Sequence, residues 1–183
     1  MKTFLPWLAA LALLVTGPAR AAEVIKVASG SMLSGPQSSL GEMIKLGAQL
    51  AVEEAQAHFA ELGFDLQFAP QDDQALPDVG VAVARRLVND PDILALVGHF
   101  NSGVTIPTSE VYKDFDLAMV SPGSTNPRVT ERGLNNVNRV CGRDDVQGPV
   151  GAEFVVNNLK AKRMLVVHDK TAYGQGLAEA FRT

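Results

Sequence analysis

The strongest constraint on this chain is an alternation. Short runs of β-branched and aliphatic residues are separated by longer segments whose apolar residues recur at helical spacing. Val24–Ala28, Phe64–Phe68, Ile93–Val97, Leu117–Val120, Val137–Val140 and Met164–Val167 read as strands. Leu40–Phe59, Asp78–Val88, Gly103–Phe115, Gln147–Leu159 and Tyr173–Phe181 read as helices. In the first helix the spacing is carried by Met43, Ile44, Leu46, Leu50, Ala51 and Phe59. In the second it is carried by Val81, Val83, Ala84, Leu87 and Val88, with Asp78 as the expected N-cap. Pro107 must fall in the first turn or two of the third. Phe154, Val155 and Leu159 are expected on the inner side of the fourth. Ile93–Val97 is apolar throughout, as in a strand buried on both faces. Strands alternating with helices imply βαβ units, hence an α/β fold with a mostly parallel, doubly wound sheet.

A chain of 183 residues has room for one domain, or one domain and part of another. The segment after Gln147 holds one strand pattern between two helices, too little for an independent sheet. Phe181-Arg182-Thr183 ends inside a helical pattern with no stop signal. The chain is therefore expected to be the first part of something longer. At the other end, Lys2 precedes an apolar run from Phe4 to Val15, then Gly17-Pro18 and the small-residue stretch Ala19–Ala22. This is the pattern of a signal peptide over residues 1–22, cleaved after Ala21 or Ala22, and its core is too short to span a bilayer comfortably. The mature chain is expected to be exported and soluble, with no membrane insertion.

Charge and cysteine narrow the function. A formal net charge of −4 argues against a basic surface for nucleic acid. A single cysteine, Cys141, excludes an internal disulfide framework and a four-cysteine zinc site, and is expected to fill core space. Three scattered histidines lack metal-ligand spacing, so no metal is expected.

Parallel sheets bind ligands beyond the carboxyl ends of their strands. Four loops fall there: Ser29–Leu40, Gly98–Thr105, Ser121–Pro127 and His168–Gly176. Ser102, Thr105, Ser121, Ser124 and Thr125 bring hydroxyls, and Gly98, Gly103 and Gly123 admit close approach of backbone. A helix starting near Gly103 would point its positive end into the same space. Two readings stand side by side: a pocket for a small carboxylate, or ordinary loop composition. Catalytic patterns are weaker. His99, His168, Asp169 and Ser102 have no Gly-x-Ser-x-Gly elbow, so the histidines are expected to be structural. Asp72-Asp73 is expected to cap or face solvent. Gly174-Gln175-Gly176 lacks the third glycine of a dinucleotide loop, and no phosphate-binding Walker sequence occurs.

An ordered set of short motifs goes further. It comprises Ser34-Gly35-Pro36 with Gly41, Asp72-Asp73, Val88-Asn89-Asp90, Val97-Gly98-His99, Ser121-Pro122-Gly123-Ser124-Thr125-Asn126-Pro127, Thr130-x-Arg132-Gly133, Gln147-Gly148-Pro149 and His168-Asp169-Lys170-x-x-Tyr173-Gly174-x-Gly176. With these the chain resembles the periplasmic branched-chain amino-acid binding proteins of ABC transporters, which have the type I periplasmic binding protein fold. The resemblance covers essentially residues 23–183. It implies two α/β lobes closing on a ligand: a first lobe over residues 23–141, then a crossover and an incomplete second lobe over residues 142–183. It implies that Ser102 holds the ligand carboxylate, and that Thr125 contacts carboxylate and ammonium. It implies that the backbone at Gly123 and Ser124 reaches the ammonium, and that Tyr173 closes from the second lobe. Leu40 stands where some members place an aromatic against the ligand side chain. Ala75 and Asn101 replace a disulfide found in some members. The acid that pairs with the ammonium in many members would lie beyond this chain. The function implied is a periplasmic, non-enzymatic protein that needs no cofactor and delivers a small amino acid to an ABC permease. A ligand sensor with the same fold is the alternative within the resemblance. A hydrolase or dehydrogenase would need the motifs found missing above.

Overall fold

A computed structural model describes residues 22–183. The expected signal peptide lies outside the described residues except for Ala22. Five strands, β1 (Glu23–Ser31), β2 (Phe64–Asp72), β3 (Ile93–Gly98), β4 (Ala118–Ser121) and β5 (Val137–Arg139), form one sheet in the order β2-β1-β3-β4-β5. Every pairing is parallel. The helices are α1 (Ser38–Glu61), α2 (Pro77–Leu87), α3 (Ser102–Lys113), α4 (Asp144–Asn157) and α5 (Ala172–Arg182), with a 3₁₀ turn at Pro127–Val129. The chain winds outward from β1 to β2, then back past β1 to β3. Right-handed crossovers therefore put α1 on one face and α2 and α3 on the other. The two cores agree. Val52 of α1 packs with Ile25 and Leu66. Val83, Ala84 and Leu87 of α2 and Tyr112 of α3 pack with Ala28, Leu96 and Met119. The doubly wound parallel sheet is as expected, and its direction reverses between β1 and β3.

Several local expectations are corrected. β1 and β2 run three or four residues further than their apolar cores, because Ser29, Gly30 and Ser31 keep register with Pro70, Gln71 and Asp72. Asp78 does not cap α2. Pro77 starts that helix from an extended Leu76, and Asp78 sits in the first turn. The apolar residues of α1 belong to two faces. Gly41, Ala48 and Val52 are buried, whereas Met43 is 69% exposed and Leu46 and Leu50 lie beside it on the outer side. β3 is not buried on both faces. Leu94 is 53% exposed and Val120 of β4 is also exposed, since α1 covers only β1 and β2. Cys141 is half-buried rather than in the core, and its burial pushes the thiol pKa up.

After β5 the chain leaves the sheet. α4 begins three residues earlier than expected, at Asp144, and packs against α5 through Gly148, where a Cβ would lie 2.6 Å from the Ala180 backbone. Phe154 and Leu159 are exposed, not inward as expected. Met164–Val167 has a strand's sequence but forms no strand. A strand needs a hydrogen-bonding neighbour, and none stands beside it among the described residues. Leu165 and Val167 are accordingly 86% and 79% exposed.

Candidate functional site

The carboxyl ends of β3 and β4 carry the loops 99–101 and 122–126. The segment leading into α5 lies opposite them. A cavity of about 690 Å³ opens between, lined by Phe100, Ser102, Gly103, Gly123, Thr125 and Tyr173 among others. This is the edge at which open α/β sheets take ligands.

α3 presents a bare N-terminus to this space. Asn101 precedes it, and its carbonyl accepts from the Val104 and Thr105 amides at 2.9 Å each. Its side chain does not cap the helix but donates to Gln37 Oε1 at 3.0 Å. The Ser102 and Gly103 amides, the first two of the helix, therefore have no acceptor within it. Ser102 Oγ accepts from the Asn126 amide at 3.3 Å, which leaves its own proton free to donate. Together with the helix dipole, these donors suit a carboxylate.

Thr125 closes the other side. Its Oγ1 is buried and lacks a hydrogen-bond partner. Next to it the Asp144 amide donates to the Thr125 carbonyl at 3.0 Å. The Asp144 side chain is fully buried, and neither of its oxygens has a partner. Burial pushes its pKa up; the Thr125 hydroxyl stands near enough to draw it part of the way back without closing a hydrogen bond, and the Arg139 charge adds to this. Arg139 gives its hydrogen bonds elsewhere, to the carbonyls of Ser124, Asn126 and Pro127. A buried carboxylate without a partner is costly. Here it lies directly behind a threonine on the cavity wall.

Of the residues singled out in the sequence, Ser102, Gly123, Thr125 and Tyr173 line the cavity. Gly123 lies against Phe100, whose ring a Cβ would strike. Ser124 does not line it. Its hydroxyl is buried beneath, 2.8 Å from the Phe100 carbonyl and 2.5 Å from Thr105 Oγ1. Leu40, in the first turn of α1, is 44% exposed and outside the lining. Phe100 and Asp144 went unmarked. Phe100 could have been found as the one aromatic in a loop already assigned to the cavity edge. Asp144 carried no signal apart from its neighbour Asp145, which pairs with Arg143 at the surface.

The sequence matches the family model described as periplasmic binding protein over residues 24–183. The chain belongs to the periplasmic binding protein family. An amino acid binding protein of Pseudomonas aeruginosa is 48% identical over 81% of this chain and 40% of its own length. The Leu/Ile/Val-binding protein homolog 2 of Brucella abortus is 44% identical over 85% of this chain and 42% of its own. Among solved structures, a leucine binding protein of Thermotoga maritima superposes with a TM-score of 0.78 at 30% identity, over 86% of this chain and 44% of that one. The fold is thus that of type I periplasmic binding proteins, and the chain spans less than half the length of each of these relatives. The family is one of solute-binding proteins. Among the described residues no helix is long and apolar enough to cross a membrane.

Proposed function

We propose that this chain is the first lobe, residues 23–141, and the opening of the second lobe, residues 142–183, of an exported solute-binding protein. Its ligand is a small amino acid with an aliphatic, branched side chain, delivered to the permease of an ABC transporter. One observation carries the reading: two opposite poles share one cavity wall. The uncapped start of α3, with the Ser102 hydroxyl, offers donors for a carboxylate. The Thr125 hydroxyl, backed by the unpartnered Asp144, offers negative character for an ammonium. A zwitterion satisfies both poles at once, and an apolar wall at Phe100 remains for its side chain. The names of the Brucella and Thermotoga relatives support the branched-chain class. Tyr173 stands across the cavity, where a closing second lobe would bring it onto the ligand. Ser124 acts from below by holding the loop that carries Gly123 and Thr125. The greater length of the relatives supports a continuation past Thr183. So do the open sheet face over β3 and β4 and the unpaired 164–167 segment. The N-terminal residues 1–22 supply the export signal, and no cofactor is required.

The test is calorimetric titration of the protein with a complete second lobe against the twenty amino acids. Saturable binding of leucine, isoleucine or valine is expected. Silence for all twenty, together with binding of a sugar or nucleotide, would remove the reading.

A further inference from the structure

Beneath the cavity lies a polar chain none of whose residues line it. His99, Asp73 and Tyr112 are each completely buried. His99 Nδ1 is 2.6 Å from Asp73 Oδ2, and His99 Nε2 is 2.9 Å from the Tyr112 hydroxyl. Burial, and after it the Asp73 charge, push the Tyr112 pKa up, so the phenol keeps its proton. Nε2 is the acceptor within its reach. Tyr112 therefore donates to Nε2, the ring proton sits on Nδ1, and that proton is donated to Asp73. The second Asp73 oxygen accepts the Ala75 amide at 2.9 Å. In this arrangement the ring nitrogens, the phenol and both carboxylate oxygens all have partners.

The backbone of the same histidine faces the other way. Its carbonyl accepts the Ser121 hydroxyl at 2.6 Å and lies 3.0 Å from Thr105 Oγ1 and 3.1 Å from Ser124 Oγ; those two hydroxyls contact each other at 2.5 Å, so at most one of them donates to it. Ser121 Oγ also accepts the Ser124 amide at 3.0 Å. One residue thus joins the end of β2 and the helix α3 through its ring. Through its carbonyl it joins the end of β4 and the Gly123–Thr125 loop. The ring has a single place to sit. It fills the space over Gly30, where a Cβ would come within 2.7 Å of Cε1. Phe100, on the cavity wall, follows it directly, and Ser102 comes three residues on.

We propose that His99, oriented by Asp73 and Tyr112, is the positioning residue of the ligand site. Its ring relay fixes the carbonyl that sets the spacing between the Ser102 and Thr125 walls. The ligand arm of this proposal rests on the amino-acid reading above, but its structural arm does not. Tyr112→Phe removes the hydroxyl and leaves the ring's shape. Asp73→Asn keeps an oxygen for the Ala75 amide but sets an amide N–H against Nδ1–H, so the relay must reverse.

The experiment is amide hydrogen exchange, with ring ¹⁵N resonances, on the full chain and both variants. In the unmodified chain the ring shows a neutral Nδ1–H signature with a strongly downfield proton. In Tyr112→Phe and Asp73→Asn, exchange at Ser124 and Asn126 accelerates at least tenfold, while exchange at Val27 and Leu66 under α1 is unchanged. A uniform rise over both regions would make the relay merely a stabiliser and overturn the proposal, as would no change at Ser124 and Asn126. Where the unmodified protein binds an amino acid, each variant weakens that binding at least fivefold. Unaltered affinity overturns the proposal. An unmodified protein that binds no amino acid overturns the ligand reading instead, and leaves the exchange result to decide this one.

Discussion

Ser102 and Thr125 each hold a hydroxyl at the cavity wall with hydrogen-bonding capacity to spare. A hydrogen bond to a charged ligand group is worth about 1.5–3 kcal/mol. Ser102→Ala and Thr125→Ala are each expected to weaken amino-acid binding by that amount, read by calorimetry, with the fold unchanged by circular dichroism. Asp144 behaves differently, because burial holds its pKa above the usual carboxylate value of 3.8. A carboxyl whose folded pKa is raised favours the folded state when protonated, and that advantage is lost as pH rises from the unfolded to the folded pKa. At neutral pH the ionised form is therefore a cost to the empty protein. Asp144→Asn is expected to raise the thermal midpoint of the unliganded protein and to lower its affinity for an amino acid. Affinity of the unmodified protein should fall as pH drops through the raised Asp144 pKa, and the Asn variant should lose that dependence. An Asn variant that is both less stable and equally tight would contradict this assignment. Ser102, Gly123 and Thr125 were readable in the sequence because hydroxyl and glycine residues cluster where parallel strands end. Asp144 was not readable. Two adjacent acids at a helix start look alike until packing buries one and leaves the other with Arg143.

Among the elements, α1 shows why a helical apolar pattern is not by itself a map of the core. Its inner face is made of the small residues Gly41 and Ala48 with Val52, because it lies close on β1 and β2. Its larger residues Met43, Leu46 and Leu50 point away, while Phe59 packs partly buried against the core. Leu66, buried beneath α1, is expected to cost about 2–5 kcal/mol when changed to alanine. Leu50→Ala on the outer side should stay within about 0.5 kcal/mol in residues 23–183. Urea unfolding of both variants at low protein concentration checks the pair. A larger loss at Leu50 would mean that the outer face is covered in this chain. Five strands and five helices were legible as elements from periodicity and breakers. Their ends were less so, since Ser29–Ser31 and Ala69–Asp72 join the sheet through backbone register rather than apolar side chains. Met164–Val167 shows the opposite failure, strand chemistry without a partner to pair with.

For the whole molecule, exposed apolar surface is the dominant fact. Leu94 and Val120 on the sheet, Met43, Leu46 and Leu50 on α1, and Phe154, Leu165 and Val167 beyond β5 are all open to solvent. Apolar surface left open at several places promotes association. Residues 23–183 alone are expected to self-associate on size exclusion and to bind amino acids about a thousandfold more weakly than a complete two-lobed protein. Losing the bonds from a closing lobe removes at least two contacts of about 1.5–3 kcal/mol each. A monodisperse monomer with micromolar affinity would show that one lobe suffices. The central claim is that the α3 N-terminus and Thr125 hold a zwitterion between them. The most direct measurement is a titration of leucine into the ¹⁵N-labelled two-lobed protein, following the Ser102, Gly103 and Thr125 amides. The account predicts that all three shift together along one saturable isotherm, and that Ser102→Ala and Thr125→Ala weaken it. Saturable binding that leaves those three amides unmoved would place the ligand elsewhere and contradict the account.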